Sequence, residues 1–360
     1  MRILCSARDI GSYKQLNSFI ALSFKKKNID FIVLAQDPAY TYARSKRKNI
    51  YKISSKDLKV KFLEFFFDNF SPDFVLTGLS ASSLGVDELL RKIAYKKKIP
   101  SGAIQDYWGY LGITKNVKLP DYFFAIDETA KKLTLSRLPK KCSSKIIVTG
   151  SPKHFLYKKN IRNWKILDNK KTKAIHLFLQ PFSIPGILKN YINTLNVLSS
   201  FDKKCKIFIH KHPSDLSNVC YRIAAKYNIQ YYISRNRLSE IDIFNADLVI
   251  TFFSTVGLDH NYMYSFSKKP IGELIYVNIG SKIRHFITKI VGIPNVPGSI
   301  KKYGITISSK KKLYENIKKF IYGKKLNTYS ATSIKKLKFD ACPSDKILNT
   351  IKKSLKEKFL

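Results

Sequence analysis

The stretch "KIFIHKHPSD", residues 206–215, decides how this chain is read. Lys206 is followed by strand-forming residues, then by His210-Lys211-His212-Pro213, and then by Ser214-Asp215, which read as a helix start. The chain holds six histidines, and two of them flank a lysine at the end of this apolar run. An open α/β sheet binds its ligands outside the carboxyl ends of its strands. Three potential cations at such an end point to an anion, for which the phosphate of a nucleotide is the first candidate.

Working outward from this stretch, strands and helices alternate along almost the whole chain. Strands are expected at 2–7, 30–35, 73–78, 101–106, 121–127 and 145–150, with helices around 12–26, within "LKVKFLEFFFDNF", from Asp87 and from Glu128. The alternation restarts after a basic, polar stretch at 157–173, with strands at 174–180, 205–210, 229–234, 247–253 and 270–277. Continuous apolar strands interleaved with helices imply parallel sheets covered on both faces. The expected fold is α/β: two tandem doubly wound Rossmann-like domains with a cleft between them and a C-terminal helix. The boundaries fall at 1–155, 156–325 and a helical tail, 326–360. In that tail Ile347, Ile351, Leu355 and Phe359 recur at i,i+4 spacing after a Ser344 or Asp345 cap. Such a face either closes the fold by packing or touches a membrane, and packing is the expectation.

Composition bounds the partners. The 360 residues are 44% hydrophobic and 13% aromatic, enough for two cored domains. No run approaches the length of a membrane span, and "MRILCSARDIG" reads as a first strand rather than a leader. Five scattered cysteines without a CxxC pair indicate the free thiols of a reducing, cytoplasmic compartment and argue against a zinc site. Sixty-six Lys and Arg against 25 Asp and Glu give +41. That excess either serves an anionic partner, such as the inner face of a membrane, or reflects A/T-rich codons. The lysines are spread over helix faces and loops, with no finger spacing or RNA-recognition signature, which argues against nucleic acid.

Three strand ends carry unusual chemistry: "IQDYWGY" (104–110), "HKHP" (210–213) and "FFSTVGLD" (252–259). His212 is held extended by Pro213 and would hydrogen-bond or protonate a leaving phosphate. Ser254, Thr255 and Gly257 at a strand-to-helix turn form either a phosphate cradle or a helix cap. His210 is a structural histidine or a second phosphate ligand. Asp106 either removes a proton from an acceptor hydroxyl or only shapes a turn, with Asp9 and Glu128 next in line as bases. Trp108 and Tyr110 are a sugar-stacking platform or core, and Glu273 is a ribose ligand or a surface acid. Gly11 and Ser12 at the first helix start, and His154 after the strand at 145–150, would face the same crevice. No DxD or metal cluster is present in the sequence, so a metal-independent and cofactor-free reaction is expected.

His212-Pro213 followed by Ser254-Thr255 resembles the His-Pro and Ser-Ser/Thr motifs of bacterial sialyltransferases, polysialyltransferases and capsule glycosyltransferases. That resemblance implies a two-Rossmann glycosyltransferase using a nucleotide-sugar donor, CMP- or UDP-linked. It further implies a base from the first domain, which "QDYWG" (105–109) supplies as Asp106, and a glycan or lipid-linked acceptor at an anionic membrane surface. "HKHP" also resembles the His-x-Asn-Pro strand end of UDP-N-acetylglucosamine 2-epimerases, with Ser254-Thr255-Val256-Gly257-Leu258-Asp259 in place of their Gly-Gly-x-x-Glu-Glu-like stretch. This second resemblance implies epimerisation or hydrolysis of a nucleotide sugar. A basic protein that binds glycan or nucleic acid without catalysis is the reading from a different class.

Overall fold

A computed structural model of the chain describes all residues except 24–27, 45–48, 80–83, 113–116, 165–171, 214, 216, 237, 268–270, 301–302, 327–336, 338 and 359–360. The chain divides into two compact units, Met1–Leu156 with Phe339–Leu360, and Tyr157–Lys338.

In the first unit the elements run β1 (Arg2–Ala7), α1 (Ile10–Ser23), β2 (Asp30–Ala35), α2 (Ala39–Ala43), β3 (Ile50–Lys52), α3 (Val60–Phe70) and β4 (Phe74–Thr77). They continue with α4 (Val86–Lys96), β5 (Ser101–Ile104), β6 (Tyr122–Ala125), α5 (Glu128–Leu135), β7 (Lys145–Val148) and α6 (Pro152–Asn160). The seven strands form one sheet in the order β3-β2-β1-β4-β5-β6-β7. Every pairing is parallel. The central strands lack exposed positions because helices cover both faces, which is why they read as unbroken apolar runs. Successive residues feed opposite cores: Ile3 and Cys5 join Leu16 and Phe19 of α1, while Leu4 joins Leu63 and Leu90 of α3 and α4.

The second unit runs β8 (Lys173–Phe178), α7 (Ile187–Leu198), β9 (Cys205–His210), α8 (Val219–Lys226), β10 (Tyr231–Tyr232), α9 (Ser239–Asn245) and β11 (Leu248–Thr251). After these come α10 (Thr255–Phe266), β12 (Glu273–Val277), α11 (Ser281–Val291), α12 (Pro297–Ile300), β13 (Ile305–Ile307) and α13 (Lys310–Ile321). Its six strands are ordered β10-β9-β8-β11-β12-β13, again all parallel. In each sheet the strand order reverses once, at β1/β4 in the first and β8/β11 in the second. A doubly wound sheet opens its ligand crevice at that reversal.

The last helix, α14 (Pro343–Lys358), returns to the first unit. Ile347, Leu348 and Ile351 are fully buried in the same cluster as Ile3 and Leu16, with Leu355 packed against it. The amphipathic face is therefore a core face. Ser344 and Asp345 lie inside the first turn rather than capping it, because Pro343, which has no N–H to leave unpaired, takes the first helical position. Phe359 lies outside the described residues.

Several expectations shift in detail. The first helix starts at Ile10, so Gly11 and Ser12 belong to its first turn. Strands β3 and β13 escaped sequence reading because three residues at a sheet edge carry no periodic signal. The helix after "HKHP" begins at Val219 rather than at Ser214-Asp215. Asp215 instead accepts from the Ser217 N–H and hydroxyl in a local turn, and Ser214 lies outside the described residues. The expected linker at 157–173 is in part the continuation of α6 through Asn160.

Replacing Ile351 by Ala is expected to cost about 2–5 kcal/mol, as a cavity in a filled core does. Urea unfolding measures this, and a change within error would return α14 to the surface.

Candidate functional site

At the carboxyl edge of the first sheet, the reversal between β1 and β4 collects acids. Asp9 ends the turn out of β1, and the carbonyl of Asp9 accepts from the Tyr13 N–H as α1 begins. Asp106 follows β5, and a Cβ added to Gly11 would stand 2.8 Å from its Oδ2. Glycine at 11 is what allows this carboxylate to lie against the first turn of α1. Asp9 is half-buried, and its carboxyl is pushed up to about 6. Burial is the larger cause and the Asp106 charge the next; Arg8 pulls the other way, and Glu88 adds a further push. The Asp106 charge thus opposes ionisation of Asp9.

Behind this pair stands a buried scaffold. Glu88 and Arg91 form an ion pair at 3.2 Å with both side chains wholly buried. Glu88 also accepts from the Gly85 N–H, which starts α4. Arg91 reaches the Thr77 hydroxyl, the Gly78 carbonyl and the Lys118 carbonyl, so one guanidinium fixes the end of β4. Asp87 accepts from the Ser6 hydroxyl at 2.5 Å and ties β1 to α4. Desolvating these charges is tolerable only because each is paired or hydrogen-bonded.

The loop after β5 is pinned as well. Gln105 donates to the Tyr110 carbonyl and the Thr134 hydroxyl, and Arg137 donates to the Gly109 carbonyl at 2.6 Å. Trp108 is corrected here: it is fully buried and its indole N–H donates to Asp127, the N-cap of α5, so it is a core residue rather than a face for an acceptor. Tyr110 is raised by burial and then by the charges of Asp106 and Asp9, which places its phenol in the field of the acids. Ser12 is buried in the first turn of α1, with no hydrogen-bond partner for its hydroxyl among the described residues. Glu128 is exposed at the start of α5, and His154 is buried on α6.

In the second unit the matching edge carries His212 and Ser254. His212 is partly buried, and desolvation lowers its imidazole to about 4 against a smaller opposing pull from Asp215. It is neutral at pH 7, a hydrogen-bonding group until an arriving anion raises it. Ser254 is the N-cap of α10, its Oγ accepting from the Val256 N–H at 3.2 Å, and Thr255 is the first helical residue. The helix amino terminus at the β8/β11 reversal is thus in place, with its cap already engaged.

Three assignments in this unit change. A Cβ on Gly257 would stand 2.2 Å from the Tyr276 Oη, so this glycine seats α10 on β12 and does not serve phosphate approach. Glu273 is the first residue of β12, at the end of the strand opposite the ligand edge, where its Oε1 accepts from the Leu326 N–H. It is therefore not placed to hold a ribose. His210 turns its ring into the sheet face, stacks on Phe178 at 4.1 Å and meets His176 Nδ1 with its Nε2 at 3.0 Å. Burial lowers it to about 4, so it too is neutral and does not supply charge for a phosphate.

One residue at this edge went unread. Asn278 directly follows β12 and is buried, and its side-chain amide has no hydrogen-bond partner among the described residues. A polar residue straight after "LIYV" was its only signal. Among the described residues there is no cluster of His, Cys, Asp or Glu fit to hold a metal ion, and no helix is long and apolar enough to cross a membrane. None of the five cysteines is in a disulfide.

No protein-family model matches the chain, and no curated protein matches it in sequence. Solved structures do. The S. aureus MnaA–UDP co-structure is similar over 99% of this chain and 97% of that one, at 15% identity and a TM-score of 0.69. A UDP-GlcNAc 2-epimerase from Neisseria meningitidis bound to UDP-GlcNAc is similar over 98% and 100%, at 15% identity and 0.65. The lipopolysaccharide outer core galactosyltransferase WaaB is similar over 98% and 100%, at 13% identity and 0.52. These likenesses establish the fold as the two-domain, Rossmann-like glycosyltransferase-B type. The fold-level likeness runs more strongly to the epimerases, and the resemblance to sialyltransferases stays one of short motifs.

The acid pair fixes a sign for stability. A carboxyl raised from 3.8 to about 6 favours the folded state fully below the lower value, and that contribution is lost as pH rises through the upper one. Asp9→Asn is therefore expected to be more stable than the wild-type chain at pH 7.5 by about 1–3 kcal/mol. The gain should vanish near pH 4, as denaturant titrations at the two pH values will show. A variant destabilised equally at both would mean that Asp9 is held as an ordinary structural carboxylate.

Proposed function

We propose that the chain transfers a sugar from a nucleotide-linked donor to a hydroxyl acceptor. The observation that carries this reading is Asp106 against the first turn of α1, in the field of Asp9, whose carboxyl is raised to about 6. A carboxylate at this edge suits removal of a proton from a hydroxyl as it attacks. In the proposed step the acceptor oxygen bonds to the anomeric carbon, and the bond from that carbon to the donor phosphate oxygen breaks. The acceptor proton passes to Asp106, beside Asp9 at the same edge. The departing nucleotide carries the negative charge. Ser254 and Thr255 at the start of α10, together with neutral His212, are the groups of the second unit that would receive it. Asn278, whose buried amide has no partner among the described residues, follows β12 at the same edge.

A surface glycan, free or lipid-linked, is the acceptor on this reading. The net charge of +41 favours the anionic inner leaflet where such acceptors are held.

A second reading, epimerisation of a nucleotide sugar, is favoured by the TM-scores of 0.69 and 0.65. Against it stands the start of α10, where Asp259 is the one acid in Ser254–Asp259. Incubation with UDP- and CMP-sugars, with and without a glycan acceptor, separates the two. Transfer requires acceptor for nucleotide release, whereas appearance of the 2-epimer without acceptor selects epimerisation.

Asp106→Asn keeps the shape and removes the basicity. Transfer is expected to fall roughly 10²–10⁴-fold with donor affinity nearly unchanged, the range general-base catalysis contributes. Undiminished transfer would make Asp106 a turn residue. Ser254→Ala and Thr255→Val should each weaken nucleotide binding roughly 2- to 10-fold by calorimetry, the worth of one net hydrogen bond. Unchanged affinity in both would leave Ser254 as a helix cap alone.

A further inference from the structure

The second unit carries a groove away from the edge just described. It lies on one flank of the sheet, over β8, β9 and β10, with Ala174 and Lys206 near the amino ends of their strands among its lining. Neither His212, Ser254 nor Thr255 belongs to it. Its volume is about 1320 Å³, above the roughly 300–1,000 Å³ of a pocket for one small ligand.

The floor is a ladder of rings across three neighbouring strands. His176 pairs in register with Phe208, and Phe208 with Tyr232. The first two rings stack at 4.5 Å and the next two tilt at 5.4 Å. Burial falls along the ladder: His176 is 5% exposed, and Tyr232, on the edge strand, 37%. Trp164 stands at the side, held edge-on against Phe244 of α9. The rings stack on one another, so the groove meets their edges; Tyr232, outermost on the edge strand and the most exposed, is the ring open to the C–H face of a sugar.

The polar lining points the same way. Asn163, Asn236 and Asn245 supply amides of the kind that bond sugar hydroxyls. Lys206 and Arg235 are exposed cations within the lining. The one acid there, Asp242, already accepts from Ser234 and Asn236 and lies 3.9 Å from His210. Its charge is taken up from within the protein. A neutral-to-cationic groove with amides and an exposed ring at its edge complements a chain of sugars bearing carboxylates. Nucleic-acid binders commonly make about 6–10 phosphate contacts, and two lining cations fall short of that.

We propose that this flank is a binding groove for an acidic oligosaccharide, separate from the edge that handles the donor. The proposal does not depend on which reaction that edge performs.

Trp164 makes the test direct, because the chain has two tryptophans and the other, Trp108, is buried in the first unit. Tryptophan emission of the full-length chain is followed during titration with a galacturonic acid hexamer, a glucose hexamer and a thymidylate hexamer. The uronate hexamer is expected to give a saturable change. Tyr232→Ala and Arg235→Ala should each weaken it roughly tenfold. Both residues are exposed, so the unfolding midpoints should not move. The proposal is overturned by the absence of saturable binding, by equal affinity for the glucose hexamer, by tighter binding of the thymidylate, or by full affinity in both variants.

Discussion

Two carboxyls that cannot both ionise freely set the character of the first unit. Asp106 lies against the first turn of α1 because Gly11 has no side chain to keep it away, and its charge acts on Asp9. A helix amino terminus ordinarily draws protons off nearby acids. Here burial and the second carboxyl outweigh it and hold one proton up to about 6. The Glu88–Arg91 pair and the Asp87–Ser6 bond keep the ends of β1 and β4 fixed around that arrangement. A carboxyl raised this way costs stability at neutral pH, the kind of arrangement that is common at functional sites.

The second unit differs in its charges. His210 and His212 are both held neutral by burial, and Ser254 caps its helix. On the proposed reading an anion there would meet dipoles and hydrogen bonds, despite +41 overall. Among the described residues, many lysines lie on exposed helix positions, such as the start of α13. That distribution agrees with a charge excess set by composition.

Much of the fold was legible because buried parallel strands advertise themselves as unbroken apolar runs. The alternation "DFIVLA", "DFVLTG", "SGAIQD" and "DYFFAID" yields four strands of one sheet in their correct sequence. The edges were not legible: Ile50–Lys52 and Ile305–Ile307 are too short to show a period. Side-chain direction was harder. Trp108, Gly257 and Glu273 were each next to the right chemistry in sequence and were sent elsewhere by packing, by a neighbouring ring and by the wrong strand end. Asp9 read as a substitute base, since nothing local reveals that the charge of residue 106 acts on residue 9. That approach is made by sheet order, β1 beside β4 beside β5, and sheet order is not a local property.

The measurement closest to the centre of all this is a carboxyl-carbon NMR titration of the chain labelled at aspartate, with Asp9 and Asp106 assigned by their Asn variants. A shared proton gives one step near pH 6 and another well below it, each sensed at both residues. Two independent steps near the ordinary aspartate value would contradict the coupled pair, and with it the base on which the proposed transfer rests.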